Sequence, residues 1–488
     1  MARTQLLSVL TCLRCKGRIT PEPSTDHEAV KELALNITKL IAPVVTQDQS
    51  EVSNQDLLKN SQALVEQCQA NSGLGIAALE ALMKQTTTAV RLEDEVLYTL
   101  VAYTEKPQTG GGRETEAIAN PLLEQQFSIP DSSTKEQFLT ETVLQTYLRP
   151  LFSKSKPASI TTSGRKAEYT DSAPSKAESM PDESAVTKPW KYTDMRATPA
   201  VAWAVREADN QLIAKHWPLF IPVLLTLADD ATTPIRRRGL LILADFLAKF
   251  PDKTLHGTGL AQVFEDAIFP TLSYLPSLTP EEESVELLVP AYDALLILAK
   301  KQPAVGKDGI AGAPKNGFLD RMLREGVLGG YFHAKDHVRI VEVLCQQTVA
   351  ILDEMGVHAV KHLKDLVPML STIMTDPFAP VAPGTLFSAI KALQAVLTNC
   401  WPRIPHSPWQ DEIINALVLS WLHLAEHSHA ATDKTYARLQ QELVTSSRAL
   451  AAVLKTAGDG TAGAVDLSLH VAPLVEKDPR LAALFPSN

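Results

Sequence analysis

"WPLFIPVLLTLADDATTPIRRRGLLILADFLAKF", residues 217–250, holds two apolar runs divided by a polar turn. In the first run Phe220, Val223, Leu224 and Leu227 recur at steps of three and four, the period of one helical face. The second run places Leu240, Leu243, Leu247 and Phe250 on a face of its own. Asp229 and Asp230 close the first run, and Arg236, Arg237 and Arg238 open the second. The stretch therefore predicts two antiparallel helices joined by a short turn. Such a pair cannot bury its apolar faces alone, and stacked neighbours would close a continuous core.

Similar pairs recur downstream. "FEDAIFPTLSYL" (264–275) precedes "LTPEEESVELLVPAYDALLILAKK" (278–301), and "KHLKDLVPMLSTIMTD" (361–376) precedes "GTLFSAIKALQAVLTNC" (384–400). Thr279, Pro280 and Glu282 read as N-cap, first helical position and capping-box acid of a second helix. The first helices each carry a proline: Pro222, Pro270 and Pro368. The second interval is about twice the first, which leaves room for one further unit around "GFLDRMLREGVL" (317–328). The shorter interval slightly exceeds the ~40–47 residues of HEAT-type repeats.

Upstream, "HEAVKELALNITKLIAPVV" (27–45) has Val30, Leu33, Ile37, Leu40, Ile41 and Val44 on one helical face. "SSTKEQFLTETVLQTYL" (132–148) opens with Ser133 and Glu136 at capping-box spacing. Strand signals are scarce. Residues 154–187, "KSKPASITTSGRKAEYTDSAPSKAESMPDESAVT", contain almost no large apolar side chain and predict a flexible linker. A smaller break is "TGGGRET" near Gly110. The expected architecture is all-α: an α-solenoid of HEAT-like antiparallel helix pairs with a disordered insert. Its parts would be an N-terminal helical region (1–153), the linker (154–187) and a C-terminal solenoid (188–488).

Composition narrows the function classes. The chain has 488 residues, 45% of them hydrophobic, and a net charge of −10. An acidic surface repels a phosphate backbone unless its cations are gathered on one face. No nucleic-acid partner is expected. Five cysteines are too few for a disulfide scaffold and point to a reducing compartment. Cys12 and Cys15 form a lone CxxC with no second pair to complete a zinc site. "MARTQLLSVLTCLRCKG" at the N-terminus reads as a first helix rather than a signal peptide. No stretch reaches the ~18 uninterrupted apolar residues of a membrane span, so no membrane partner is expected. "NIT" at Asn36 is a glycosylation sequon by pattern only, and Ser179 with Asp182 fits an acid-directed kinase.

Motifs for chemistry are missing. There is no phosphate loop and no nucleophile elbow. "GLGIAA" at Gly73 and "GTGLAQ" at Gly257 lack the third glycine and the preceding strand of a dinucleotide site. His333 with His337, and His358 with His362, are four apart, so a helix could present either pair on one face. Both pairs have Ala where a zincin has its catalytic Glu. No cofactor and no catalytic residue are expected.

Two places could bind a partner or serve the fold. Arg236, Arg237 and Arg238 either dock an acidic surface or form ion pairs across the turn from Asp229 and Asp230. A cation at a helix N-terminus opposes the dipole, so these arginines need a partner. Trp190 and Lys191 lie in "KPWKY" (188–192) at the edge of the linker. Trp190 either clamps the first C-terminal helix or docks a partner. The remaining tryptophans, Trp203, Trp217, Trp401, Trp409 and Trp421, read mainly as core anchors at helix junctions.

"KPWKY", "HWPLFIPVLLTLADD", "IRRRGLLILADFL", "TGLAQVFEDAIFPTLSYLPSLTPEEES" and "AYDALLILAK", taken in this order, resemble the Tti-two family in its fungal form. The resemblance runs from about Lys188 to Lys300 and more loosely beyond. It implies a non-enzymatic α-solenoid, a subunit of the Triple-T complex with Tel-two and Tti-one. That complex is a co-chaperone working with the ninety-kilodalton heat-shock chaperone. It supports the phosphatidylinositol-3-kinase-related kinases, including TOR and the DNA-damage checkpoint kinases. Tti-one-like and Tel-two-like solenoids would be direct partners, in cytoplasm and nucleus, and a C-terminal helical face would hold the Tti-one-like one. A generic HEAT-type adaptor in transport or trafficking is the other reading of the same pattern.

Overall fold

Helix Asn210–Ala228 starts where the Asp209 side chain accepts a hydrogen bond from the Leu212 amide at 2.7 Å. A cap of this kind contributes roughly 1 kcal/mol. Helix Thr233–Lys249 follows, with Pro234 in its first turn, where no amide is needed. The two pack against each other so closely that a Cβ on Gly239 would lie 2.4 Å from the Leu227 carbonyl carbon. Only glycine permits that approach. The four predicted residues of the first face are buried, and so are Ile221, Leu225, Thr226 and Ala228. Burial is wider than one face because the helix also packs on the helical run 135–152. By length and composition alone this helix could cross a membrane, but its apolar half is spent inside the fold.

The computed structural model describes residues 1–15, 26–44, 54–86, 90–105, 113–129, 134–155, 184–303, 313–427, 434–456 and 466–485. These residues are helical and contain no strand; the isolated bridge Val44–Asp194 is the β-type pairing found among them. The fold is all-α and solenoid-like. It divides into two compact units, Met1–Phe264 and Glu265–Asn488.

In the first unit, helices Ala2–Arg14 and Asp26–Ile41 pack on the long helix Asn54–Gln85. Helix Ala197–Glu207 packs on Asp94–Ala102 at one side and on Thr233–Lys249 at the other. Those three make one layer. The run 135–152, π-helical over Phe138–Leu148, and helix Asn210–Ala228 make the layer behind it. The run 135–152 also packs directly on Ala197–Glu207, where Phe138 meets Trp203 edge-on at 5.9 Å. Helices from both sides of the expected linker thus form one pair. Of the linker itself, residues 156–183 lie outside the described residues, as do Gly110, Ser133 and Ser179.

In the second unit, helices Glu281–Lys300, Val338–Met355, Pro383–Asn399 and Lys434–Thr456 pack each on the next as one layer. Leu363–Met374 and Pro408–Glu426 pack together behind them. The further unit expected around 317–328 is the run 313–334, which packs on both Glu281–Lys300 and Val338–Met355. Its π-helical stretch covers Met322–Leu328.

Local details differ from the sequence expectations by a residue or two. The capping box is formed by Thr134 and Gln137: the Gln137 amide donates to Thr134 Oγ1 at 3.2 Å and the Thr134 amide to Gln137 Oε1 at 3.1 Å. Thr134 and Gln137 have the same spacing as Ser133 and Glu136, one position later. Thr279 is not an N-cap; helix Glu281–Lys300 has Pro280 at that position and no side-chain cap. Ser284 instead turns its hydroxyl back to the Pro280 carbonyl at 3.1 Å, and three glutamates in the first turn face the helix dipole. Pro222 and Pro368 lie inside helices, whereas Pro270 opens a 3-10 turn, Phe269–Ser273.

Candidate interaction site

The residues singled out at the linker edge and at the arginine run come together inside the first unit. Asp230 is buried and accepts from Lys191 Nζ at 2.9 Å and Lys188 Nζ at 2.8 Å. It also accepts from the Thr232 amide at 2.9 Å. Burial alone would raise the Asp230 carboxyl, but hydrogen bonds from Lys188 and Lys191 outweigh it and hold the group below the usual carboxylate range. Trp190 is fully buried. Its ring stacks on Phe152 at 4.9 Å, and its indole N–H donates to Ser155 Oγ at 2.9 Å.

Arg236 does not act at the start of its own helix. It reaches back to the end of the preceding one, donating to the carbonyls of Asp230 (2.9 Å) and Asp229 (3.2 Å). Its side chain is buried and stands 3.5 Å from Asp229 Oδ1. An arginine at a helix C-terminus satisfies orphan carbonyls and is favoured by the dipole. Arg238 pairs with Glu105, and Arg237 is half-buried. In this structure Trp190, Lys191 and Arg236 are turned inward and spend their polar groups within the chain.

The segment after "KPWKY" is fixed in the same way. Asp194 takes a two-pronged ion pair from buried Arg196, at 2.9 and 2.7 Å. Arg196 reaches on to Glu95 Oε1 at 2.6 Å and Thr99 Oγ1 at 2.9 Å. The Met195 amide donates to the Pro43 carbonyl at 3.3 Å. Residues 188–196 are thereby tied to four elements of the first unit. No motif pointed to Asp194 and Arg196. An Asp two residues before an Arg beside a tryptophan-rich stretch was the available signal.

The histidine pairs do not share a helical face. His333 is exposed near the end of Gly329–Ala334, while His337 lies at the start of the next helix, 3.2 Å from Glu281 Oε2. His358 and His362 fall in a 3-10 turn, Gly356–His362, whose three-residue period separates positions four apart. His362 is buried on Asp320 at 2.8 Å, and His358 is exposed. Among the described residues no group of three His, Cys, Asp or Glu is arranged to hold a metal. Cys12 and Cys15 are exposed free thiols, and burial pushes the Cys345 thiol up to about 12.

The second unit offers a shallow groove of about 420 Å³ between the Val338–Met355, Pro383–Asn399 and Lys434–Thr456 helices. Among its lining residues Phe387 carries the Arg438 guanidinium 4.3 Å from its ring centroid. The groove is mainly apolar, and Glu342 and Lys391 are among the residues that line it. Such a surface can hold a side chain or a turn of another protein. It has no constellation for bond-making.

The Tti2 family model matches residues 96–381, more than half of the chain. The match begins in helix Asp94–Ala102, well before the Lys188 at which the resemblance is legible by eye, and runs through both units. No solved structure matches the chain.

Proposed function

The chain belongs to the Tti2 family, and on that premise we propose that it is a non-catalytic scaffold subunit of the Tel-two/Tti-one/Tti-two complex. The observation that carries this is the family match over 96–381. Family membership supports the subunit role in general. The finer reading is that the chain holds Tti-one-like and Tel-two-like solenoids and, through them and the heat-shock chaperone, supports maturation of phosphatidylinositol-3-kinase-related kinases. It would do so in cytoplasm and nucleus.

The mechanism is adhesion. Stacked helix pairs present long faces, and a partner solenoid can bury a large area along one of them. The helical architecture and the inward use of the linker-edge cations support a rigid platform rather than a reacting site.

A tagged full-length chain, recovered from its own cells at mild salt and read by mass spectrometry, tests the reading. Tel-two-like and Tti-one-like subunits should appear at near-equal amounts. Depletion of the chain should lower kinase abundance without lowering kinase messenger levels. Recovery of unrelated proteins, with those two subunits absent, would contradict it.

A further inference from the structure

In the second unit, the three segments that lead into the front layer each expose a large apolar side chain: Leu278 in a turn, Phe332 near the end of helix Gly329–Ala334, and Phe378 with Val381 in the turn before helix Pro383–Asn399. Leu278 is 90% exposed, Phe332 76%, Phe378 74% and Val381 70%. Val338, which starts the helix after Phe332, is also exposed. Soluble monomers place single apolar residues on the surface freely, but a row of them marks a contact.

The three segments lie along one edge. His337 meets Glu281 at 3.2 Å and Arg339 meets Glu282 at 3.7 Å, which joins the first segment to the second. Thr385 Oγ1 donates to the Val338 carbonyl at 3.1 Å, which joins the second to the third. Tyr436 donates to the Pro380 carbonyl at 3.1 Å and extends the edge to the next helix. The segments hold their apolar residues outward. Asp376 Oδ1 accepts from the Phe378 amide at 2.8 Å and fixes that turn. Ser277, just before Leu278, has φ +111°, a strained conformation for a residue with a side chain.

The rim of this edge is acidic. Residues 274–283, 331–339 and 375–382 carry Glu281, Glu282, Glu283, Asp336 and Asp376 against Lys335 and Arg339. Helices in one layer pack at about 8–10 Å, so three segments span roughly 20 Å. At about 1.5 Å per residue, that is the length of an α-helix of roughly 13 residues.

We propose that this edge is the docking site for an amphipathic helix of a partner subunit, its apolar stripe on Leu278, Phe332 and Phe378 and its flanks rich in Lys and Arg. The excess of carboxylates selects basic flanks over acidic ones. The proposal rests on the scaffold reading and narrows it to one surface.

Cysteine protection in the assembled complex tests it. F332C and F378C variants of the full chain are labelled with a maleimide, free and after co-purification with the partner subunits, and site peptides are quantified by mass spectrometry. W401C is the control, because Trp401 follows the Pro383–Asn399 helix and stands at the layer's opposite end, also exposed. Labelling at 332 and 378 should slow at least about tenfold in the complex, as burial in an interface core requires, while 401 labels unchanged. Unchanged labelling at 332 and 378, in a complex that does contain the partner subunits, would overturn the surface and leave the scaffold reading standing. Equal protection at all three positions would overturn it as well. Failure of the wild type to recover those subunits would overturn the scaffold reading, and this proposal with it.

Discussion

Two regions of this chain use their side chains in opposite directions. Around Asp230, in the first unit, a lysine, an arginine and a tryptophan are buried, a second lysine is half-buried, and all four spend their polar groups within the chain. Along the edge of the second unit, a leucine, two phenylalanines and two valines face outward. A buried charge must be paired, and an exposed row of large apolar groups is left for something to cover. Residue type leaves the first region open between binding and the fold, and would place the second in the core. In the structure the first spends its polar groups within the chain, and the second lies at the surface.

The largest expected losses lie in the first region. Asp230→Ala leaves the ammonium groups of Lys188 and Lys191 without their shared carboxylate and should cost about 3–5 kcal/mol. Trp190→Ala removes the stack on Phe152 and the bond to Ser155 and should cost a similar ~3–5 kcal/mol. Thermal unfolding followed by circular dichroism reads both, and a wild-type melting temperature in either variant would break the contrast. Acid sharpens the first case. The Asp230 carboxyl titrates lower folded than unfolded, so its contribution is present above the ordinary value of 3.8 and lost as the pH falls below it. The wild type should lose stability in that acid range, and Asp230→Ala should lose less there.

A smaller cost is expected at Gly239. Its alanine variant forces a Cβ into the backbone of Leu227 and Ala228 and should cost about 1–3 kcal/mol as the two helices separate. Below these come the exposed residues. Phe332→Ser with Phe378→Ser should change stability by less than ~0.5 kcal/mol, as surface changes do. The same pair should weaken partner association about 30-fold, the scale of losing interface anchors. The smallest effect belongs to the rim. Asp336→Lys should slow association severalfold at low salt, and the difference should shrink as salt screens it.

Much of the helical fold is legible in the sequence because its signal is periodic. Phe220, Val223, Leu224 and Leu227 step by three and four, and all are buried. The extra burial of Ile221 and Leu225 is not legible, because it comes from a second neighbour, the run 135–152, which is distant in sequence. The pairing of 135–152 with Ala197–Glu207 is hidden for the same reason: more than forty residues separate them, and composition marks a break, not what closes across it. Cap positions shift by one residue at Thr134 because adjacent Ser and Thr offer the same hydroxyl. The role of Arg236 is half legible. The need for a partner follows from the dipole, but that the partner is the preceding helix's carbonyls is a matter of turn geometry. The exposed edge leaves only a faint trace. "DPFAPV" (376–381) and "SLTPEEE" (277–283) each set an apolar residue in a turn near an acid, and "YFHAKDHV" (331–338) sets one in the last turn of a short helix, four residues before an acid. Periodicity says nothing about Leu278 and Phe378, which lie outside helices, and a helix of 6 residues is too short to show which face holds Phe332, so their exposure needed the fold.

The most direct test sets the two properties side by side in one protein. The full-length Phe332→Ser, Phe378→Ser variant would be measured for its melting temperature and for recovery of Tel-two-like and Tti-one-like subunits from its own cells. The account predicts a wild-type melt with most of the partner subunits lost. A wild-type melt with full recovery would contradict it, and the apolar edge would then be surface without a partner.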